Sequence, residues 1–369
     1  MLLSVFDIDL LRLLRWCQYA NPSDLLPFYD NADLSNLIST GLLKIHRGSG
    51  ALLLTGKGHD LLQDIFGDKL PGAYQTYRAG AIQRRLHLAR LMLLFYRAGA
   101  MTFLTQIEEL CVSASFFLPS MMRGRGRNPW GNTRVAAIAS LPGTLCAVHY
   151  VQPGIGKLLL ADELAAFTNN TSTLGEKRRT LIFAGESYPD ILSELEADMS
   201  DTGSRLISYG EAYRRSPLPV HLLSCDETGV LQLRIMSQPD YRRRLTQTIL
   251  KGRYRPPLEG TDCDALFDGA PFLLTVDMNL QRIDNACNQQ RACGGMKPVV
   301  AALEGQAETV LNARYRDRGL ARVFTVTDAA LREFLGSLPN PAEQLFLSPK
   351  GDVIHAPLIQ ARRKTGEPR

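Results

Sequence analysis

The sequence lacks the features that would place it in a membrane or in an oxidising compartment. No run of about 18 uncharged apolar residues occurs among its 369 residues, which argues against a membrane span. The first residues have no basic segment before the apolar ones, so they do not resemble a secretory signal. Seven cysteines, an odd number without a C-x-x-C pair, are typical of reduced thiols. We therefore predict a cytoplasmic protein with no membrane partner.

Motifs for phosphate binding, hydrolysis and metal coordination are also missing. The sequence contains no G-x-x-x-x-G-K-[ST] loop, no G-x-S-x-G elbow and no H-E-x-x-H pair. Cys287 and Cys293, the closest pair of cysteines, have no histidine near them in sequence, which argues against a zinc site. Acidic pairs such as Asp162 with Glu163 are more typical of turns and helix caps than of metal clusters. The sequence therefore predicts no catalytic residue, no cofactor and no metal.

The distribution of charge is more informative than its net value of +5. Residues 1–130 carry 14 basic and 10 acidic side chains, residues 131–361 carry 24 and 26, and the last eight carry 4 and 1. A basic N-terminal segment beside a slightly acidic body predicts that this segment, and not the whole protein, contacts a polyanion. The excess is smaller than in strongly basic nucleic-acid binders.

The N-terminal segment has the clearest local pattern. Apolar residues at i, i+3 and i+4 from Leu34 predict a helix, and Gly41 supplies the left-handed residue that commonly ends one. Two short apolar strands flank a turn at residues 47–50, and Thr55 then precedes another helix as its N-cap. This order of helices, hairpin and helix predicts a winged helix-turn-helix over residues 1–68.

Two sets of side chains would contact DNA if this module reads it. Polar side chains of the predicted recognition helix would face base edges, and basic side chains of the hairpin and the next helix would meet phosphates. The first set is Ser35, Asn36 and Ser39, and the second is Lys44, Arg47 and Lys57. The recognition helix carries Asp33 and no lysine or arginine, so its affinity for a major groove would be modest or assisted by a partner.

Residues 73–215 predict one long, largely buried helix followed by an α/β domain of short apolar strands. A loop at 121–132 interrupts the strands with three arginines, Arg123, Arg125 and Arg127, separated by glycines and followed by Trp130. These arginines would lie along a nucleic-acid backbone with the indole available for stacking, or the loop would be an exposed hairpin insertion.

Residues 216–360 predict a C-terminal α/β domain. Residues 271–326 alternate between apolar strands and amphipathic helices in the order β-α-β-α-β, which implies a mostly parallel sheet. Residues 219–236 are interpreted as a β-hairpin with its turn at 226–229. The polar, basic residues 361–369 predict a disordered tail. The fold class is therefore α+β or α/β.

Three of these segments resemble the replication-relaxation family of plasmids and conjugative elements, and more closely the related proteins of Gram-positive conjugative transposons. The segments are 36–62, 84–90 (Arg-Arg-Leu-His-Leu-Ala-Arg), and 132–138 with the strand that follows at 145–151. The resemblance covers roughly residues 1–180.

This resemblance implies a winged helix joined to a domain similar to restriction endonucleases. Such a nuclease core needs an acidic residue that opens one strand and an acid-x-Lys group on the next, because carboxylates hold the metal and lysine supports the attacking water. At the corresponding positions, 134–137 and 147–150, this chain has Arg-Val-Ala-Ala and Ala-Val-His-Tyr. The resemblance therefore implies a catalytically inactive scaffold used for binding or dimerisation.

Three functional hypotheses follow. The leading one is a non-catalytic DNA-binding accessory or regulatory protein of a plasmid or integrative conjugative element, acting in replication, relaxation or transcription control. Its partners would be double-stranded DNA, a relaxase or other mobile-element proteins, and a second copy of the chain in a homodimer. The second is a protein-docking subunit of the conjugation or replication machinery, and the third is an active metal-dependent nuclease whose acidic cluster lies elsewhere.

Overall fold

The structure, a computed structural model, describes residues 3–26, 29, 31–73, 76–111, 114–122, 128–152, 157–197, 206–257 and 260–336, and the backbone of 345–347 and 353–355. The chain divides into two compact units, one of residues 1–105 with 338–369 and one of residues 106–337. Both units contain helices and strands, and the strands form several separate sheets, so the protein has a mixed α/β fold.

The first unit is mainly helical. Its elements in chain order are β1 (Leu3–Ser4), α1 (Val5–Cys17), α2 (Pro22–Leu25), α3 (Asn31–Ser39), β2 (Leu43–Ile45), β3 (Leu52–Leu54), α4 (Gly56–Phe66) and α5 (Ala79–Arg97). α1 begins at a capping box, in which the Asp7 amide donates to Ser4 Oγ at 3.1 Å and the Ser4 amide donates to the Asp7 carboxylate at 2.7 Å. Gly41, two residues after α3, has a φ of +74°, which confirms its predicted left-handed conformation.

β2 and β3 form an antiparallel hairpin in which Ile45 lies opposite Leu52. Ala20, between α1 and α2, pairs with Leu52 from the other side, where each residue donates its amide to the carbonyl of the other at 3.1 and 2.9 Å. The connection between α1 and α2 therefore acts as a third, one-residue strand. These two hydrogen bonds connect the hairpin to the helical part of the unit. Without them, both amides and both carbonyls would be unpaired.

The long helix α5 belongs to the first unit. Arg90 donates from Nη2 to Asp24 Oδ1 at 2.8 Å, and Tyr96 donates from its hydroxyl to Asp9 Oδ2 at 2.7 Å, so α5 is bonded to α1 and α2. The indole of Trp16 donates to the carbonyl of Leu104 at 3.1 Å. The sequence-based boundaries fell after residue 68 and after residue 215, whereas in the structure the second unit begins after residue 105.

The second unit contains a five-stranded sheet in the order β10-β8-β6-β5-β4. Its elements are β4 (Ser115–Phe117), β5 (Ala137–Leu141), β6 (Thr144–Tyr150), β7 (Lys157–Leu158), α6 (Leu160–Asn170), β8 (Arg178–Gly185), α7 (Tyr188–Glu196), β9 (Ile207–Ser208), α8 (Tyr209–Arg215), β10 (Val220–Ser224), α9 (Glu227–Met236) and α10 (Tyr241–Leu250). β5 is antiparallel to both of its neighbours, β4 and β6, and β6, β8 and β10 are parallel. β7 and β9 form a separate antiparallel pair.

A four-stranded sheet in the order β11-β12-β13-β14 completes this unit. Its elements are β11 (Ala265–Phe267), β12 (Ala270–Leu274), α11 (Leu280–Ala292), β13 (Val299–Ala302), α12 (Glu304–Gln306) continuing as a π-helix (Ala307–Arg316), β14 (Arg322–Thr325) and α13 (Asp328–Leu335). β12, β13 and β14 are parallel and β11 is antiparallel. The order β-α-β-α-β is the one that the sequence predicted.

The β-hairpin predicted for residues 219–236 is wrong. Only Val220–Ser224 is a strand, and it is followed directly by the helix α9. The carboxylate of Asp226 accepts a hydrogen bond from the amide of Gly229 at 3.0 Å and thereby caps the helix. An Asp-Glu-Thr-Gly segment suits both a turn and a helix start, and here the cap prevails because β10 pairs in parallel with β8.

Two short strands near the end of the chain, β15 (Leu345–Leu347) and β16 (Val353–His355), are antiparallel to each other. β15 also pairs with β1, with Leu3 opposite Leu347, so both strands belong to the first unit although the sequence assigned them to the C-terminal domain. The predicted tail at 361–369 lies outside the described residues. No helix in the described ranges combines the length and the apolarity needed to cross a membrane.

Candidate nucleic-acid interface

Helix α3 has one buried and one exposed face. Leu34 and Leu37 point into the core, each with 5% of its surface exposed, whereas Ser35, Asn36 and Ser39 are exposed. The Ser39 hydroxyl donates to the Asn36 carbonyl at 3.0 Å, so it is engaged within the helix. The three polar residues predicted to face base edges therefore lie together on the outer face of α3.

The hairpin next to α3 carries two of the predicted phosphate contacts. The Leu42 amide donates to the Leu37 carbonyl at 3.2 Å, so β2 follows directly on the end of α3. Lys44 is exposed on β2, and Arg47 is exposed in the turn between β2 and β3. The His46 carbonyl accepts from the Gly50 amide at 2.9 Å and closes this turn, which fixes where Arg47 leaves the backbone.

Lys57, the third basic residue of this set, lies in the first turn of α4. Its ammonium donates to the Thr40 carbonyl at 2.8 Å and so stabilises the carboxyl end of α3. Thr55 caps α4 as predicted, because its hydroxyl accepts from the Gly58 amide at 3.2 Å. Lys57 is exposed and an ammonium has three N–H donors, so donation to Thr40 leaves capacity for a phosphate.

The arginine-rich loop gives a different result. Arg123, Arg125 and Arg127 lie outside the described residues. Trp130 is 2% exposed and its indole N–H donates to Met122 Sδ at 3.1 Å. The prediction that this indole is available for stacking on bases is therefore wrong, because the ring is part of the core of the second unit.

The two segments at which a nuclease would carry its acidic residues lie side by side. Ala137, at the start of β5, is opposite Val148 on β6, and the Ala136 amide donates to the Val148 carbonyl at 2.8 Å. His149 is fully buried against the rings of Phe183 and Tyr209. Within the ranges that the structure describes, no group of three or more His, Cys, Asp or Glu side chains is placed to hold a metal ion.

One carboxylate near these strands was interpreted from the sequence only as part of an acidic pair typical of turns and helix caps. Glu163, on α6, is 3% exposed and accepts a hydrogen bond from the Arg134 amide at 2.6 Å. Burial raises the pKa of Glu163 to about 7, although the amides of Arg134 and Val135 partly offset this effect. Helical spacing in the sequence could have indicated its burial. Glu163 lies four residues before the buried Phe167 and therefore on the apolar face of the same helix.

Glu163 should make stability fall as pH rises through neutrality. The folded protein holds this proton up to about pH 7, whereas an ordinary glutamic acid with a pKa of 4.5 has already released it. Between pH 4.5 and about pH 7 the unfolded state therefore binds fewer protons than the folded state. Over this range the free energy of unfolding declines by an amount on the order of 1–3 kcal/mol. Glu163→Gln, which keeps the acceptor and cannot ionise, should therefore become more stable relative to the native protein as pH rises.

The measurement is the free energy of unfolding in denaturant between about pH 5 and pH 8, taken as variant minus native at each pH, so that the titration of other groups cancels. Glu176→Gln is the matched control, because Glu176 is exposed on the same unit. A constant difference for Glu163→Gln across this range would contradict the argument.

A second feature that the sequence did not indicate is a charged cleft of about 430 Å³ in the second unit. It lies at the amino ends of β6, β8 and β10, and its walls include residues from six separate segments of the chain. Among the lining residues are Arg178, His221, Tyr241, Arg242 and Arg282. Because these residues are far apart in sequence, no local motif contains them.

Behind this cleft lies Asp277, which is completely buried. It accepts hydrogen bonds from Nη2 of Arg242 and from the Tyr241 hydroxyl, the latter at 3.2 Å, and His221 Nε2 lies 3.7 Å from the same oxygen. Burial raises the pKa of Asp277, but the positive charges of Arg242 and Arg282 outweigh burial and hold it below its ordinary value. Asp277 is therefore ionised and anchors one wall of the cleft.

No protein-family model, curated protein or solved structure matches this chain.

Proposed function

We propose that the protein is a non-catalytic DNA-binding accessory or regulatory protein of a plasmid or integrative conjugative element, and that it contacts double-stranded DNA through α3 and the β2–β3 hairpin. The observation that carries the proposal is the arrangement of the first unit, in which three helices precede a hairpin whose second strand also pairs with Ala20. A winged helix-turn-helix has this order and this pairing. The resemblance to the replication-relaxation family points the same way.

The exposed groups fit a division of labour on DNA. In the proposed complex α3 enters the major groove, where Ser35 and Asn36 meet base edges and Ser39 lies near the backbone. Lys44 and Arg47 on the hairpin contact phosphates, with Lys57 adjoining them from α4. α3 has no lysine or arginine, so the hairpin cations supply most of the electrostatic attraction.

The second unit supports a binding role rather than cleavage. Its antiparallel strands β4, β5 and β6, followed by α6 and the parallel strand β8, are compatible with a restriction-endonuclease-like core. At the paired positions Ala137 and Val148, where such an enzyme would hold its metal, the side chains are aliphatic. We propose that this core serves in binding or dimerisation.

A protein-docking role is the second candidate. The observation in its favour is Ile45, which has 54% of its surface exposed at the end of β2, beside a recognition helix that carries Asp33 and no cation. An exposed aliphatic residue on a hairpin suits a protein surface better than a phosphate backbone. In this case the same face would bind a relaxase or another protein of the mobile element.

Replacing both Lys44 and Arg47 with alanine should weaken binding to duplex DNA and flatten its dependence on salt. Each lost phosphate contact lowers the slope of log K against log salt concentration by about 0.9. The measurement is fluorescence anisotropy of a labelled duplex at several salt concentrations. Arg291→Ala with Arg318→Ala is the control of equal charge, because both arginines are exposed on the second unit.

The two proposed roles give different results in this experiment. An unchanged slope in the hairpin variant, or an equal loss in the control, would remove the hairpin from the DNA interface. The docking role replaces the DNA-binding role if two results are found together. The native protein does not bind duplex DNA at low salt, and it captures a purified relaxase from the same element in a manner that Ile45→Asp abolishes.

A further inference from the structure

The charged cleft of the second unit has more positive than negative groups on its walls. Arg178, Arg242, Arg243 and Arg282 line it, against the carboxylates of Asp240 and Asp262. Arg243 is paired with Asp240 at 3.3 Å and Arg282 with Asp262 at 3.1 Å. Arg242 is paired with the buried Asp277, so Arg178 is the one lining arginine without a carboxylate partner among the described residues.

These two arginines differ in how they are held. Arg242 is bonded to the buried Asp277, yet 26% of its side-chain surface is still exposed. Arg178 is exposed, and within the part of the chain that the structure describes its guanidinium makes no hydrogen bond. One arginine is therefore fixed in orientation while the other keeps all five of its N–H donors for a ligand.

Two helices begin at the same cleft. Tyr241 to Arg243 form the first turn of α10, and the preceding residue, Asp240, has a left-handed backbone with a φ of +50° and does not cap the helix with its side chain. Asn279 also lines the cleft, but its side chain caps α11 by accepting from the Arg282 amide at 3.2 Å. The amide groups of a first helical turn have no acceptor within the helix, and the helix dipole adds partial positive charge there, so the uncapped start of α10 favours an anion.

A buried polar residue also lines the cleft. His221 is 5% exposed, and its Nδ1 has no hydrogen-bond partner among the described residues. A polar nitrogen buried without a partner is costly, and a small turn of the ring toward the cleft would let a ligand complete the bond. This observation is independent of the arginines and of the helix starts.

Part of the cleft lining is apolar. It consists of Leu141 at the end of β5, Pro142 in the turn that follows, Pro219 just before β10, and Met236 at the end of α9. Rigid proline rings and a methionine present a surface suited to a flat ring system. The volume of about 430 Å³ lies within the range of sites for small molecules.

We propose that this cleft binds a small phosphorylated molecule of the nucleotide class, with its phosphate held by Arg178, Arg242 and the first turn of α10, and its ring against Pro142 and Pro219. His221 completes its bonding to the same ligand. Recognition rests on side chains and helix amides, which is consistent with the absence of a glycine-rich phosphate loop from the sequence. The site is separate from α3 and the hairpin and does not depend on the proposed DNA-binding role.

The test is isothermal titration of the full chain with pyrophosphate, with the ribonucleoside mono-, di- and triphosphates, and with adenosine as the probe that lacks phosphate. At least one nucleotide should bind and adenosine should not. Arg178→Ala should weaken that nucleotide tenfold or more, since a bond from arginine to phosphate is charge-assisted. Arg318→Ala is the control, because Arg318 is equally exposed on the same unit and does not line the cleft.

The Arg178 side chain bonds to none of the described residues, so Arg178→Ala should fold normally, which thermal denaturation checks. Nucleotide binding that is lost in Arg178→Ala and kept in Arg318→Ala supports the proposal. No binding of any phosphorylated probe, or an equal loss in both variants, overturns it. If the mononucleotides are inert and a single-stranded oligonucleotide binds in an Arg178-dependent manner, a nucleic-acid strand occupies the cleft and the small-molecule assignment is wrong. Duplex binding by α3 and the hairpin is unaffected by Arg178→Ala in every case, so the two proposals fail separately.

Discussion

Replacing Asp277 with asparagine should lower the free energy of unfolding by about 3–5 kcal/mol, because removal of one member of a buried ion pair leaves the other charge uncompensated. Asp277 is completely buried, and the charge left behind is that of Arg242. Asparagine offers one acceptor oxygen instead of two, so either the Tyr241 hydroxyl or the Asn279 amide would lose its acceptor at the same time. For a unit of this size the midpoint of thermal unfolding should fall by roughly 10 °C.

Asp240→Asn is the matched control for this prediction. Asp240 forms an ion pair with Arg243 on the same helix, but both side chains are largely exposed, so its loss should change stability by less than about 1 kcal/mol. Circular dichroism during heating measures both variants. Equal midpoints for the two variants would show that the Asp277 pair does not stabilise the fold.

The same pair predicts sensitivity to acid. The pKa of Asp277 is held below its ordinary value, so the unfolded state takes up a proton at a higher pH than the folded state does. The stabilisation is therefore complete above the ordinary pKa of about 3.9 and is lost as pH falls below it. Asp277→Asn should remove this part of the acid dependence.

Gly229→Ala should be the other strongly destabilising change, although alanine normally favours a helix by about 1 kcal/mol over glycine. Gly229 lies in the first turn of α9, and a Cβ atom placed there would be 1.8 Å from the Ser224 carbonyl oxygen and 2.9 Å from its carbon. Both atoms are backbone, so the turn between β10 and α9 would have to open. We expect a loss of about 3 kcal/mol in the free energy of unfolding, as for other overpacked sites.

The matched control is Gly80→Ala in α5, where an added Cβ would meet no atom within 4 Å and the backbone φ is not positive. This substitution should leave stability unchanged or raise it by up to about 1 kcal/mol. Denaturant unfolding of both variants gives the comparison. If the Gly229→Ala protein were as stable as the Gly80→Ala protein, the close approach of α9 to β10 would not contribute to the stability of the fold.

Local patterns were sufficient to predict α3, the β2–β3 hairpin and α4 of the first unit. The helix before Gly41, the turn at 47–50 and the cap at Thr55 each depend on residues close together in sequence, and each is present in the structure. The β-α-β-α-β order of the last sheet was predictable for the same reason. The strand and helix at residues 219–236 were not predictable from local patterns. The segment from Asp226 to Gly229 suits both a turn and a helix start, and only the pairing of β10 with the distant strand β8 decides between them.

The parts of the site that depend on tertiary contacts were beyond sequence reasoning. Trp130 followed an arginine-glycine loop and suggested stacking, but its burial depends on a core assembled from distant strands. The cleft brings Arg178 of β8, His221 of β10 and Arg242 of α10 together, and no spacing rule links these positions. The extent of the first unit depended likewise on the contact between Arg90 and Asp24, 66 residues apart.

The most direct test of the central claim is equilibrium binding of the native 369-residue chain to duplex DNA from a plasmid or conjugative element, followed by fluorescence anisotropy at about 50 mM and 200 mM salt. Binding through α3 and the hairpin cations predicts measurable affinity at the lower salt concentration and a steep loss at the higher one. Absence of binding at the lower concentration, or an affinity that does not change with salt, would contradict the claim.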